Sequence, residues 1–255
     1  MRHSNSLITL LIVAVVLFSV GFACNSADSS TTSNNSTSAG NTSTAANSTP
    51  KPSTPKSIAG DYNATGTNPG GKGEYKAALT ITPHDDVYQF TWTSGKNSYD
   101  GVGVMTDSEV AVSFTDGASG KGCGVVLFKI ASDGSMDGKT GYWGTNKMET
   151  ERAVRKTGSG SDLDGVYDVS GKNPDGKDYK GTLTVIKSGE GYTFDWDAGT
   201  AVSGFGIRAD QYVAVGFGGK QCSFVGYDVK SDGTLEGKWG SFGARTFGTE
   251  IAKKK

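Results

Sequence analysis

Few residues of this chain are equipped for chemistry. Of its two histidines, only His84 lies beyond the apolar N-terminal segment. It stands in Pro83-His84-Asp85-Asp86, where an imidazole beside two carboxylates has the donor types of a divalent-metal site. The segment also reads as a polar turn, and its counterpart later in the chain, Lys187-Ser188-Gly189-Glu190, carries no histidine. Nucleophilic catalysis needs a serine or cysteine activated by a base and faced by an oxyanion site. No serine here is marked out in that way. Asn173-Pro174-Asp175-Gly176-Lys177-Asp178 has the look of an acidic calcium loop, yet the matching Asn68-Pro69-Gly70-Gly71-Lys72-Gly73 lacks both acids. What both copies keep is Asn-Pro-x-Gly-Lys, which makes a turn. Gly101/Gly103 and Gly204/Gly206 precede no helix and are not nucleotide loops. The expectation is no catalytic residue, no metal and no cofactor, hence not an enzyme.

What remains is sulfur and indole. Cys24, Cys123 and Cys222 are the three cysteines, and Trp92, Trp143, Trp196 and Trp239 the four tryptophans. Trp92 and Trp196 recur at equivalent places in aromatic strands, where they either fill a core or stack on a ligand within it. Trp143 and Trp239 sit near Gly-rich strand ends and are candidates for a partner surface.

These side chains must be positioned by a duplicated unit. Gly60-Asp61-Tyr62 followed by Gly66-Thr67-Asn68-Pro69-Gly70-Gly71-Lys72 returns as Gly165-Val166-Tyr167 followed by Gly171-Lys172-Asn173-Pro174-Asp175-Gly176-Lys177. The match continues through Tyr75/Tyr179, Leu79/Leu183, Tyr88-x-Phe90-x-Trp92 with Tyr192-x-Phe194-x-Trp196, Cys123/Cys222, and Thr150-Glu151 with Thr249-Glu250. Self-similarity of this kind outranks any local signal. Inside each copy the apolar period is two, the mark of strands with one buried face. Turn residues separate about eight such runs per copy. The fold expected is all-β: two tandem small antiparallel β-barrels of about eight strands each, a lipocalin- or avidin-like meander, with a β-sandwich as the alternative. A barrel removes exposed sheet edges, and the alternating glycines suit tight curvature or make room for a large neighbour.

Strand parity says more about the cysteines. If Val126, Phe128 and Ile130 face a core, then Cys123, Val125 and Leu127 face outward, as do Cys222 and Phe224 in the second copy. An outward apolar face fits a contact between the two units, across which Cys123 and Cys222 can pair in an oxidising compartment. The alternative is two separate buried thiols.

The N-terminus reads as an export signal. Arg2 and His3 precede an apolar run from Leu7 to Ala23, the layout of a secretory signal peptide. Gly21-Phe22-Ala23-Cys24 resembles a bacterial lipobox, with Gly21 where leucine is usual, so lipidation of Cys24 is expected and simple secretion is the alternative. The Ser/Thr/Asn-rich segment after it cannot bury enough apolar surface to fold and suits a tether. The domains expected are a signal peptide (1–23), a tether (24–57), a first barrel repeat (58–156), a linker (157–162) and a second barrel repeat (163–255). With a formal net charge of -1 and no basic stripe, nucleic acid is not an expected partner.

The order of short motifs, Gly-x-Tyr, Gly-x-Asn-Pro-x-Gly-Lys, Tyr-Lys, Leu-Thr, Tyr-x-Phe-x-Trp, Gly-x-Gly and the closing Ser231 to Trp239 with Gly248-Thr249-Glu250, resembles a family of small exported bacterial proteins labelled fibronectin-binding. The resemblance covers Gly60 to Ala153 and Gly165 to Ala252. It implies adhesion to a matrix glycoprotein and assigns no residue to that contact. The first copy has Thr140 where the second has Trp239. The function expected is a non-catalytic, surface-tethered binding or adhesion-type lipoprotein of the cell envelope. Its partner would be an extracellular protein or envelope polymer, and the lipid on Cys24 its hold on the membrane. The alternative is a small-molecule-binding barrel.

Overall fold

The computed structural model of the protein describes residues 57–117, 120–158 and 160–255. The expected signal peptide, Cys24 and the tether up to residue 56 lie outside the described residues. Sixteen strands follow one another: β1 Gly60–Thr67, β2 Glu74–His84, β3 Val87–Ser94, β4 Asn97–Thr106, β5 Glu109–Asp116, β6 Gly124–Ile130, β7 Met136–Tyr142, β8 Glu149–Arg155, β9 Gly165–Lys172, β10 Asp178–Ser188, β11 Gly191–Asp197, β12 Ala201–Ala209, β13 Tyr212–Phe217, β14 Ser223–Val229, β15 Leu235–Gly240 and β16 Gly248–Lys254. The only helical piece among the described residues is a single 3-10 turn at Pro69–Gly71. The strands close into two antiparallel eight-stranded barrels.

The barrels do not coincide with the repeats. Barrel 1 runs β1-β16-β15-β14-β5-β4-β3-β2 and barrel 2 runs β10-β11-β12-β13-β6-β7-β8-β9. Each barrel therefore takes five strands from one repeat and three from the other. The expected boundaries 58–156 and 163–255 delimit the repeats, but neither is a barrel by itself. β5 pairs with β14, placing Val112 opposite Val225 and Val110 opposite Tyr227. β13 pairs with β6 in the equivalent register, Val215 opposite Val126 and Val213 opposite Phe128. Because the repeats carry the same residue types at these positions, either set of partners satisfies the pleat.

The exchange happens where the chain leaves β5 and β13. Instead of turning back as a hairpin, each strand is followed by one that belongs to the other barrel. A Cβ at Gly218, whose φ is 115°, would run into the Gly122 carbonyl. Only glycine permits that approach. Beside this approach, Cys123 and Cys222 form a disulfide with their Cα atoms 5.8 Å apart.

Three apolar clusters hold the molecule together. One fills barrel 1 around Phe90, Trp92, Val112, Tyr227 and Leu235. Its counterpart fills barrel 2 around Phe128, Phe194, Trp196, Val215 and Met136. The third lies between the barrels and is made of outward-facing residues, among them Val102, Val104, Val125, Leu127, Phe205 and Phe224. Val125, Leu127 and Phe224 thus do line the contact between barrels, as their parity suggested. Gly101 and Gly103 take the inward positions of β4, and a Cβ at Gly103 would lie 2.5 Å from the Phe90 ring.

The barrels are sealed at one end. Tyr62 donates its hydroxyl to the carbonyl of Ile58 at 2.7 Å, and Tyr167 does the same to Leu163 at 2.8 Å. Ile58 and Leu163 are both 1% exposed and belong to the two barrel cores. Toward the opposite ends lie the buried carboxyls Glu250 and Glu151.

Candidate functional site

Each barrel has a carboxylate inside it. Glu250 on β16 alternates with Ala252, and Glu151 on β8 with Ala153; all four face inward and are buried. In barrel 1, Glu250 Oε1 accepts hydrogen bonds from the Trp92 indole N–H at 3.0 Å and the Tyr227 hydroxyl at 2.5 Å, while Oε2 accepts from Tyr75 at 2.7 Å. In barrel 2, Glu151 Oε1 accepts from the Trp196 indole N–H at 3.0 Å and Oε2 from the Tyr179 hydroxyl. Phe128 occupies the place of Tyr227 and has no hydroxyl to give, as the equivalent pairings with Val213 and Val110 show.

A glycine makes the tyrosine contact possible. Across the sheet, Gly66 is flanked by Tyr75 on β2 and Glu250 on β16. Gly171 is flanked in the same way by Tyr179 and Glu151. The tyrosine ring lies over the glycine to reach the carboxylate: a Cβ on Gly66 would lie 2.6 Å from the Tyr75 hydroxyl, and one on Gly171 would lie 2.6 Å from that of Tyr179. The first residue of Gly-x-Asn-Pro-x-Gly-Lys thus serves the site, its asparagine (Asn68 or Asn173) borders the pocket, and the remainder turns the chain.

The electrostatics follow from burial. Desolvation first, and then the negative charge of Glu250, push the Tyr75 and Tyr227 phenols above the ordinary range, so both remain protonated donors. Tyr179 is raised in the same way by burial and Glu151. Burial also raises Glu151 itself, against the opposing effect of its hydrogen bonds from Tyr179 and Trp196.

A pocket opens over each carboxylate. That of barrel 1 measures about 230 Å³ and is walled by Tyr75, Trp92, Tyr99, Phe114, Trp239 and Glu250, with Asn68 and Asn97 among its polar residues. That of barrel 2 measures about 160 Å³ and is walled by Tyr142, Glu151, Tyr179, Trp196 and Phe217, with Thr140 and Val202 where barrel 1 has Trp239 and Tyr99. Both are largely apolar with a few aimed polar groups, and both are smaller than the usual drug-sized pocket of about 300–1,000 Å³.

The tryptophans divide accordingly. Trp92 and Trp239, from different repeats, share the pocket of barrel 1, and Trp196 lies in that of barrel 2. Trp239 stands in this wall, its indole N–H donating to the Thr67 carbonyl at 3.1 Å. Trp143 lies elsewhere, half-buried against the cluster between the barrels and bordering a shallow depression with His84 and Tyr88. Asp175 and Asp178 of the acidic turn pair with Lys177 at 2.7 Å and Lys172 at 2.6 Å. Among the described residues no group of three or more metal-ligating side chains comes together.

In the sequence, Tyr75 pairs with Tyr179 and Glu151 with Glu250 as repeat positions, and repetition alone does not mark them as site residues. The available signal was parity: each glutamate stands two residues before an inward alanine, so it too must point inward. No protein-family model matches the chain, and neither a curated protein nor a solved structure is similar to it.

Proposed function

We propose that the protein is a non-catalytic binding protein that takes small ligands at the open ends of its two barrels. The observation that carries this reading is the retention, in both barrels, of an indole N–H and a phenol donating to one buried carboxylate beneath an aromatic pocket. A structural core gains nothing from a buried carboxylate, because desolvating it is costly and an apolar residue of similar volume would do as well. A carboxylate that anchors a ligand explains the expense. Lipidation at Cys24 and the tether behind it would hold the barrels at the outer surface of a membrane, where they would capture solutes. The adhesive reading rests on the resemblance to proteins labelled fibronectin-binding, whereas the pocket reading rests on the buried carboxylates and the aromatic side chains around them.

A library of small apolar and aromatic ligands, titrated while following indole fluorescence, tests it. Binding should change the emission of wild type and be reduced in both Trp92→Phe and Trp196→Phe. Ligands that bind without altering either indole would place the site elsewhere and contradict the proposal.

A further inference from the structure

Resting on that pocket reading, we propose that barrel 1 takes a small organic cation: a protonated amine on an apolar or aromatic body, its ammonium at Glu250 and its body within the ring of Tyr75, Trp92, Tyr99, Phe114 and Trp239.

The first support is a buried carboxyl with no basic side chain in its pocket. Glu250 is 5% exposed, and the residues lining its pocket include no lysine, arginine or histidine. A buried carboxylate without a cation is costly, and a bound ammonium supplies the missing partner within the pocket. The second support is an open acceptor position. A carboxylate has about four lone-pair sites; Trp92 and Tyr227 fill two on Oε1, and Tyr75 fills one on Oε2. One site on Oε2 is left for an N–H of the ligand.

The third support is the wall. Phe114 lies 5.2 Å from Trp92, 6.3 Å from Tyr99 and 6.2 Å from Trp239, centroid to centroid, while Tyr75 meets Trp239 edge to face at 6.0 Å. Aromatic faces grouped in this way attract cations through their quadrupoles, Trp most strongly. Such a box also excludes water and so strengthens the attraction of the carboxylate for an ammonium.

Barrel 2 lacks this combination. Thr140 replaces Trp239, Val202 replaces Tyr99, and Phe128 replaces Tyr227. Its wall keeps Tyr142, Tyr179, Trp196 and Phe217 but has no second indole. The strand exchange therefore builds one cation site from both repeats rather than two equal ones.

The test compares benzylammonium with benzyl alcohol, its neutral near-isostere, by nuclear magnetic resonance of ¹⁵N-labelled indoles assigned by single Trp→Phe substitutions. Benzylammonium should shift Trp92 and Trp239 and bind about tenfold more tightly than the alcohol. Glu250→Gln should erase that preference and Glu151→Gln should keep it. Should Glu250→Gln fail to fold, the comparison of the two probes in wild type decides alone. Equal affinities at Trp92 overturn the cation assignment and leave the pocket reading standing. A response confined to Trp196 also overturns it, because the wrong barrel would hold the charge. Binding of neither probe ends the cation proposal, while the neutral library above judges the pocket reading separately.

Discussion

Trp92, from the first repeat, donates its indole N–H to Glu250, from the second, at 3.0 Å inside one barrel. That bond exists only because β14, β15 and β16 close a barrel begun by β1 to β5. The pocket, its aromatic wall and its carboxylate are consequences of the exchange.

Glu250 should be the most costly inward residue to truncate at the open end of barrel 1. Glu250→Ala leaves Trp92, Tyr227 and Tyr75 without their acceptor, and each orphaned buried donor costs about 1–3 kcal/mol. The expected loss is about 3–5 kcal/mol, read as a fall in urea midpoint with unchanged slope. Glu151→Ala orphans two side-chain donors and should cost less. Equal losses would contradict the ranking.

Gly66→Ala and Gly171→Ala should each destabilise by about 1–3 kcal/mol through overpacking, since the new methyl lands both on a backbone carbonyl of the neighbouring strand, Thr249 or Thr150, and on the tyrosine that reaches the glutamate. The signature is local: Gly66→Ala should shift the indole resonance of Trp92 and leave Trp196 unmoved, with the reverse for Gly171→Ala. An unperturbed Trp92 in Gly66→Ala would count against the contact.

Glu109 sets a pH dependence outside the pockets. Burial first, then Asp228 opposite it on β14 and Asp210 nearby, push its carboxyl up to about 7, with Lys230 acting in the other direction. A carboxyl raised in the folded state binds more protons there than in the unfolded chain. Its contribution to stability is present below the ordinary value of 4.5 and is lost as pH rises towards about 7. Melting temperatures between these limits should fall with rising pH in wild type and fall less in Glu109→Gln. Identical slopes would remove Glu109 as the cause.

The disulfide should contribute stability without dictating topology. Joining Cys123 to Cys222, which are 99 residues apart, restricts the unfolded chain by about 4–5 kcal/mol on the loop-entropy model. Cys123→Ser with Cys222→Ser should lower the urea midpoint accordingly while leaving the indole spectrum of the folded state recognisable. A wholesale change of that spectrum would mean that the bridge holds the exchange in place.

The strands, their number and the barrels were legible in the alternation of residues such as Phe90 and Trp92 and in the turns between runs. The exchange was not, for a physical reason. Val112 meets Val225, where an unexchanged barrel would present Val126 in the same place, so the pattern on each strand is satisfied equally by a partner from its own repeat or from the other. The information lies after β5 and β13, where Gly218 passes against Gly122, and pairwise alternation does not register that. The site was half legible: Trp92 and Trp196 stand out as inward aromatics. Glu151 and Glu250 do not, because their inward neighbours Ala153 and Ala252 are too small to advertise a buried face, and Tyr75 and Tyr179 sit at strand starts where the period is short.

Cutting the chain between its repeats tests the exchange most directly. A protease site inserted at Gly160, in the link between β8 and β9, yields two fragments that each contribute strands to both barrels. After cleavage and reduction of the Cys123–Cys222 bridge under native conditions, the fragments should run in size-exclusion chromatography as one species of the uncut mass, since neither can leave without opening both barrels. Elution as two separate folded halves would contradict the exchange, and with it the pocket that Trp92 and Glu250 share.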